Sequence, residues 1–387
     1  MQPLPKLIVK ARSEIRIVHN NPWIFSNEIE NFSEVKKLEK GSLVEVIIKK
    51  DQSFGIAYFN PHSLIAARIL SYNSAQEINE NFFIEKISSA LASRQKFFDK
   101  PFYRLIHSEG DFLPGLVLDR FGDVFSCQIS TAGMEKLTPI LISALKKLFP
   151  QSKIILRNDV EARKHESLEL FVKEIDEIPN QIDIEENGIK FSINVKEGQK
   201  TGWFFDQRKN RQFIGSISKD CDVLDAFCYL GGFGLNALKN GAKSVTFIDS
   251  SKEALDKIPT AENVEIINDK VFETLEKLES EQRRFDIVLL DPPAFIKSKK
   301  DIFSGLKGYE KLIRLAAPLV KKGGVLMLTS CSHHASIIDL INAANDGFRK
   351  LQKPARLIRT FGADVDHPVH LALKENEYLK SLTFLVE

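Results

Sequence analysis

The rhythm of hydrophobic and polar positions changes twice along this chain. Over the first seventy-odd residues, short apolar or alternating runs such as "SLVEVIIKK", "SFGIAYFN" and "SLIAARIL" are separated by Asp, Gly, Asn and Pro. β-Branched residues bounded by turn formers predict short strands, here a small β-barrel-like domain. "NFFIEKISSALASRQKFF" then has helical spacing and is expected as a linker helix.

From about Phe102 to Glu177 strands and helices mix. "LPGLVLDRFGDVFSCQIST" predicts two strands joined at Phe121-Gly122-Asp123. In "MEKLTPILISALKKLF", Leu137, Ile140, Leu141, Ala144, Leu145 and Leu148 fall on one helical stripe. "SKIILRND" follows as a strand, which makes a small α+β module.

The third rhythm is a regular alternation. "IEENGIKFSINV" is a hairpin turning at Asn187-Gly188. After it come "DVLDAF", a glycine turn, "GLNALKNGA", "SVTFIDS", "NVEIIND", "VFETLEKLE", "FDIVLLDPP", "EKLIRLAAPLVKK", "GGVLMLTSCS" and "ASIIDLINAANDGF". Strand–helix alternation predicts parallel β-α-β units, an α/β doubly wound sheet with helices on both faces.

Composition narrows the setting. The chain has 387 residues, 43% hydrophobic and 27% charged, enough for two or three domains with real cores. No apolar run is long enough to span a bilayer, and the N-terminus lacks a signal-peptide core, so a cytoplasmic protein without a membrane role is expected. The four cysteines form no C-x-x-C pair, which argues against a zinc ribbon or thioredoxin-like site, and no metal is expected. Net charge is +2, but residues 1–75 carry 10 Lys+Arg against 7 Asp+Glu, a net of +3. That bias suits a nucleic-acid contact near the N-terminus or a plain solvated basic face.

A doubly wound sheet holds its ligand beyond the C-terminal ends of its strands. The first turn, "LDAFCYLGGFG", contains Asp225, Gly231, Gly232 and Gly234, and departs from the G-x-G-x-x-G dinucleotide fingerprint. An acid inside the first strand suits a ligand with a positive centre. Asp249 ends the next strand, where an acid receives a ribose diol, and Asp269 is placed to accept from an adenine amino group. An adenosine carrying a cationic sulfonium, S-adenosyl-L-methionine, satisfies all three. The fourth strand empties into Asp291-Pro292-Pro293. The prolines fix the backbone there and leave the Asp facing the crevice, with Phe295 able to stack on a base. Packing glycines and a plain turn are the bland alternatives.

These residues look like a class I S-adenosylmethionine-dependent RNA methyltransferase. "NPWIFSNEI", "GDFLPGLVLDRFGD", "EGQKTGWFFDQRKNR", "GLKGYEKL" and "DVDHPVH" narrow the likeness. Over nearly the whole chain it resembles the PUA-containing cytosine-5 methyltransferases of large-subunit ribosomal RNA. The resemblance implies a PUA-like RNA-binding β-barrel over 1–75, a central α+β domain over 76–178 and a Rossmann-like methyltransferase domain over 179–387. It also implies S-adenosyl-L-methionine as cofactor, ribosomal RNA as substrate and a homodimer. Phe227, Gly231, Gly232 and Ser250 would lie against the cofactor, and the segment of Gln207 and Arg208 would close over it.

Cytosine carbon 5 is a weak nucleophile until a thiolate adds to carbon 6, so the chemistry needs a Cys at the crevice. Cys331, in "LTSCSHH" at the end of the fifth strand, is expected to be that nucleophile, with Asp291 holding the cytosine edge. Pro292, Pro293 and Phe295 are expected to line the substrate side. Cys228 is expected to be packing, and His333 and His334 to be polar loop residues. The fourth-strand motif lacks the second Cys of many cytosine-5 RNA methyltransferases, and Lys270 follows Asp269 where related sequences are more acidic. Two rival readings stay open: a purine-base RNA methyltransferase with an idle Cys331, and a non-catalytic RNA-binding ribosome-assembly factor.

Overall fold

The computed structural model describes residues 3–49, 52–198 and 201–387, so Gln199 and Lys200 of "EGQKTGWFFDQRKNR" lie outside the described residues. Contacts divide the chain into two compact units. The first is Met1–Ile184 with Ser192–Phe205 and Val365–Asn376; the second is Glu185–Phe191, Asp206–Asp364 and Glu377–Glu387.

The first unit opens with β1 (Lys6–Ile8), α1 (Ala11–Val18), β2 (Trp23–Ile24), α2 (Phe32–Val35), β3 (Ser42–Ile48), β4 (Gln52–Phe59) and β5 (Ala67–Ser71). The strands form one sheet in the order β1-β3-β4-β5-β2. The three long strands fall on the expected runs. In α1 the apolar positions at helical spacing, Ala11, Ile15 and Val18, are exposed, and Ile17 is the buried residue.

Next come α3 (Glu80–Arg94), β6 (Phe102–His107), β7 (Leu116–Phe121), β8 (Val124–Ile129), α4 (Ala132–Leu148), β9 (Lys153–Asn158) and β10 (Phe171–Glu174). They build a second sheet in the order β10-β9-β8-β7-β6. β8 and β9 run parallel, and α4 is the crossover such a pair requires. α3 is not a linker: its Phe82, Phe83 and Ile87 share one core with Leu137, Leu141 and Leu145 of α4 and with Leu105, Leu118 and Phe125 of the sheet. Tyr58 of β4 joins that core, its hydroxyl donating to the Pro114 carbonyl at 2.9 Å. Glu166 is a second tie, accepting from Asn60, Ser63 and Arg68. "DVDHPVH" is part of this unit. The carboxylate of Asp366 accepts from the Arg104 backbone N–H at 3.0 Å, and the His367 ring lies 4.9 Å from that of His107.

A hairpin follows, β11 (Ile182–Glu186) and β12 (Ile189–Ile193). Asn187 (φ 51°) and Gly188 (φ 71°) both adopt the left-handed conformation that a tight two-residue hairpin requires.

The second unit contains α5 (Arg208–Ile217), β13 (Asp222–Ala226), α6 (Gly232–Lys239), β14 (Ser244–Asp249), α7 (Lys252–Leu255), β15 (Val264–Asn268), α8 (Val271–Ser280), β16 (Phe285–Leu290), α9 (Ile302–Ala316), β17 (Val320–Ser330), α10 (Ile337–Lys350), β18 (Ala355–Phe361) and β19 (Lys380–Val386). The sheet order is β15-β14-β13-β16-β17-β19-β18. β13 to β17 are mutually parallel, as expected, whereas β19 runs antiparallel between β17 and β18. Alternate residues of each strand feed opposite faces. Leu224, Val288 and Leu326 pack with α8, α9 and α10, while Val223, Ile287 and Met327 pack on the other side with Ile214 of α5 and Phe233 of α6. The order reverses at β13 and β16, which opens a crevice at their C-terminal ends.

Candidate active site

β13 delivers Asp225 to the crevice, fully buried. Its Oδ2 accepts the Gly234 N–H at 2.8 Å, and its Oδ1 has no hydrogen-bond partner among the described residues. Burial pushes the carboxyl up to about 7; the carboxylates of Asp291 and Asp249 add to the rise, and the Gly234 N–H opposes it. A buried carboxylate facing two others is short of positive charge. A cationic ligand centre fits that deficit.

The turn after β13 is held in an uncommon shape. Phe227 (φ 64°), Tyr229 (φ 51°) and Gly231 (φ 73°) are all left-handed, a conformation only glycine takes readily. Hydrogen bonds hold it: the Phe227 N–H donates to Ile248 O at 2.9 Å, and the Tyr229 N–H to Asp249 Oδ2 at 2.8 Å. Asp249 Oδ1 accepts from Ser251 N–H at 2.8 Å. Asp249 thus shapes the glycine turn as well as ending β14. Gly234 is required by contact, since a Cβ there would lie 2.2 Å from Phe247 Cε1. Gly232 opens α6, Ser250 is exposed beside Asp249, and Asp269 is exposed after β15. The Lys270 ammonium that follows pairs with Glu273 at 3.2 Å.

On the other side of the reversal, β16 and β17 pair in register, Leu290 opposite Leu328. Asp291 and Cys331 therefore leave neighbouring parallel strands at the same edge. Asp291 Oδ1 accepts from Gln207 Nε2 at 3.0 Å and from the Thr329 hydroxyl, and Asn210 in turn donates to Gln207 at 2.7 Å. Cys331 is half-buried, one residue beyond β17. The buried Tyr309 hydroxyl of α9 lies 2.7 Å from Ser330 Oγ and 3.0 Å from Ser332 Oγ, bracketing the cysteine. His333 is exposed and stacks on Tyr378 at 5.3 Å, and the Tyr378 hydroxyl donates to Asp206 at 2.5 Å.

The Arg208 guanidinium sits between the buried carboxylates of Glu186 (3.5 Å) and Asp364 (3.7 Å). Of the residues expected on the substrate side, Pro292 is buried and Pro293 is exposed. Phe295 is half-buried, its ring 4.8 Å from Tyr309 and 6.2 Å from Phe272. Cys228 is buried in the core of α5, α6 and β14. Among the described residues no cluster of His, Cys, Asp and Glu could hold a metal ion, and no helix is long and apolar enough to cross a membrane. Sequence reasoning passed over Asn210, Thr329, Tyr309 and Tyr378. Three of them lay inside quoted motifs: Thr329 in "TSC", Asn210 in "EGQKTGWFFDQRKNR" and Tyr309 in "GLKGYEKL".

Comparison with known proteins agrees with this fold. Residues 7–72 match the PUA-like domain family, and residues 163–344 match the S-adenosylmethionine-dependent methyltransferase family. The solved structure of SMU.776 in complex with SAH shares the fold at a TM-score of 0.84 and 20% identity, over 99% of this chain and 100% of that one. Fold and site define the class: an S-adenosylmethionine-dependent methyltransferase with an N-terminal PUA-like domain. Ribosomal RNA large subunit methyltransferase I of Pseudoalteromonas atlantica is 36% identical over 95% of this chain and 96% of its own length. That of Photobacterium profundum is 35% identical over 98% of both. The chain belongs to the ribosomal RNA large subunit methyltransferase I family.

Proposed function

We propose that this protein methylates carbon 5 of a cytosine in large-subunit ribosomal RNA, in the cytoplasm, with Cys331 as nucleophile. The observation that carries the reading is the in-register pairing of β16 with β17, which brings Asp291 and Cys331 to one edge beside the buried Asp225. The names of the relatives support the substrate class. The homodimer rests on the family resemblance alone, and light scattering tests it.

S-adenosylmethionine, when bound, supplies the methyl group as an electrophile. Asp225 would meet its positive centre, Asp249 and Ser250 its ribose, and Asp269 its adenine. Phe227, Gly231 and Gly232 would line the pocket, and Gln207 would orient Asp291 beside it. The Cys331 thiolate bonds to carbon 6 of the cytosine, and the displaced ring electrons make carbon 5 nucleophilic. Asp291, its carboxyl oriented by Gln207 and Thr329, holds the ring edge by accepting a hydrogen bond from the exocyclic amine. After methyl transfer the carbon-5 proton leaves to a base, the bond from Sγ to carbon 6 breaks and the thiolate is restored. Pro293 and the edge of Phe295 border the base.

Cys331→Ala tests the assignment. Methyl transfer to ribosomal RNA should be lost while S-adenosylmethionine binding stays. RNA containing 5-fluorocytidine should trap a covalent adduct with the wild type only. Full transfer by the alanine variant would overturn the covalent route in favour of direct attack by a purine amine.

A further inference from the structure

Lys380 is the first residue of β19, and its side chain is buried. Its backbone lies opposite Ser330, the residue before Cys331. Its Nζ donates to the carbonyl of Ser332, the residue after Cys331, at 3.1 Å, and to the carbonyl of Tyr378 at 3.1 Å. One lysine therefore grips the chain on both sides of the cysteine.

Both of those acceptors are neutral carbonyls. A buried ammonium bonded to neutral carbonyls is costly. Burial accordingly pulls this ammonium below its usual range, with Glu377 and the Cys331 thiolate acting in the opposite direction. Other titratable groups face the same turn. Tyr309 approaches from α9, its hydroxyl raised first by burial and also by the Cys331 charge; Asp291 comes from the end of β16, and His333 and Tyr378 stack beside it. Of these groups, Lys380 is the one that combines a positive charge with direct bonds to the backbone next to Cys331.

We propose that Lys380 is a positioning residue that holds Cys331 as a thiolate and fixes the 330–332 turn for attack. This rests on the reading of Cys331 as nucleophile. The thiol proton leaves to solvent and Lys380 keeps its own, so a positive charge bonded to the Ser332 carbonyl stands one residue from the thiolate. A neighbouring ammonium lowers a thiol's pKa from its usual value of about 8.5.

The test is the rate of Cys331 alkylation by iodoacetamide in the full-length protein, followed by peptide mass spectrometry across roughly pH 5–10. The wild-type midpoint should lie below about 8.5. Lys380→Met should move it up by about one pH unit, slowing alkylation near pH 7 about tenfold, and Lys380→Arg should restore part of the shift. An unchanged midpoint in Lys380→Met overturns the proposal, as does a wild-type midpoint at or above about 8.5, which needs no variant to fold. A purely structural role for Lys380 would alter stability without moving the midpoint. Failure of the nucleophile reading is separate: Cys331→Ala would retain full methyl transfer even where the alkylation midpoint is low.

Discussion

Replacing Asp225 by Asn removes a buried charge while keeping the side chain's shape, and its effect should depend on pH. In the folded protein this carboxyl is raised from 3.8 to about 7, with burial the largest cause. The unfolded chain ionises it near 3.9. Between those values the native state holds a proton that the unfolded state has released, so stability falls as pH rises through the window. Below about pH 4 both states are protonated and the group contributes nothing. Above about pH 7 the whole loss is present: roughly three pH units at about 1.4 kcal/mol each, or about 4 kcal/mol. Asn does not titrate. Asp225→Asn should therefore match the wild type at acidic pH and exceed its stability by up to about 4 kcal/mol near pH 8.5. Urea unfolding of the cofactor-free proteins at three pH values measures this. Calorimetry should show the opposite for the ligand: the variant binds S-adenosylmethionine at least about tenfold more weakly, a loss of about 1.4 kcal/mol. Wild-type affinity should fall as pH drops below about 7, because the carboxylate that meets the cation becomes protonated. Parallel stability–pH curves for the two proteins would refute the buried titration. Undiminished binding would refute the placement of this carboxylate against the positive centre.

Two further substitutions test the packing on which the site stands. Gly234→Ala would put its Cβ 2.2 Å from Phe247 Cε1 and 2.8 Å from Val245 Cγ1, and should cost about 1–3 kcal/mol in chemical unfolding. Adding Phe247→Leu should recover part of that, and strict additivity would count against the clash. In the first unit Asp119 is fully buried, takes two 2.9 Å bonds from Arg104 and accepts from Thr201. Asp119→Asn leaves that guanidinium uncompensated and should cost about 3–5 kcal/mol. A loss below about 1 kcal/mol would mean that water or another acid compensates Arg104.

Much of the methyltransferase unit is legible locally. The strand–helix alternation, the acid in β13, the acid closing β14, Asp291 before two prolines and Cys331 after β17 all follow from nearby residues. Period 2 and period 3.6 are local properties of the chain, and so is the rule that doubly wound strands present ligands at their C-terminal ends. Local reading could not supply a side chain's distant partners. Arg208 reads as a basic residue at a helix start; only folding brings Glu186 and Asp364 to it. α3 reads as a linker because its own pattern cannot reveal that α4 and the second sheet cover it.

The last two strands show the division most clearly. By itself the sequence determined which element ends carry the acids and the cysteine, because alternation and turn chemistry are written in adjacent residues. It could not determine that "KSLTFLV" inserts antiparallel between β17 and β18. Pairing across about fifty residues depends on which sheet edge is open once the parallel strands have assembled. Lys380 becomes a buried ammonium bonded next to Cys331 only through that insertion. The tertiary structure likewise decided that Asp225 is shut away from water and that Asp249 braces the glycine turn. Desolvation and long-range pairing are properties of the assembled sheet, not of any window of sequence.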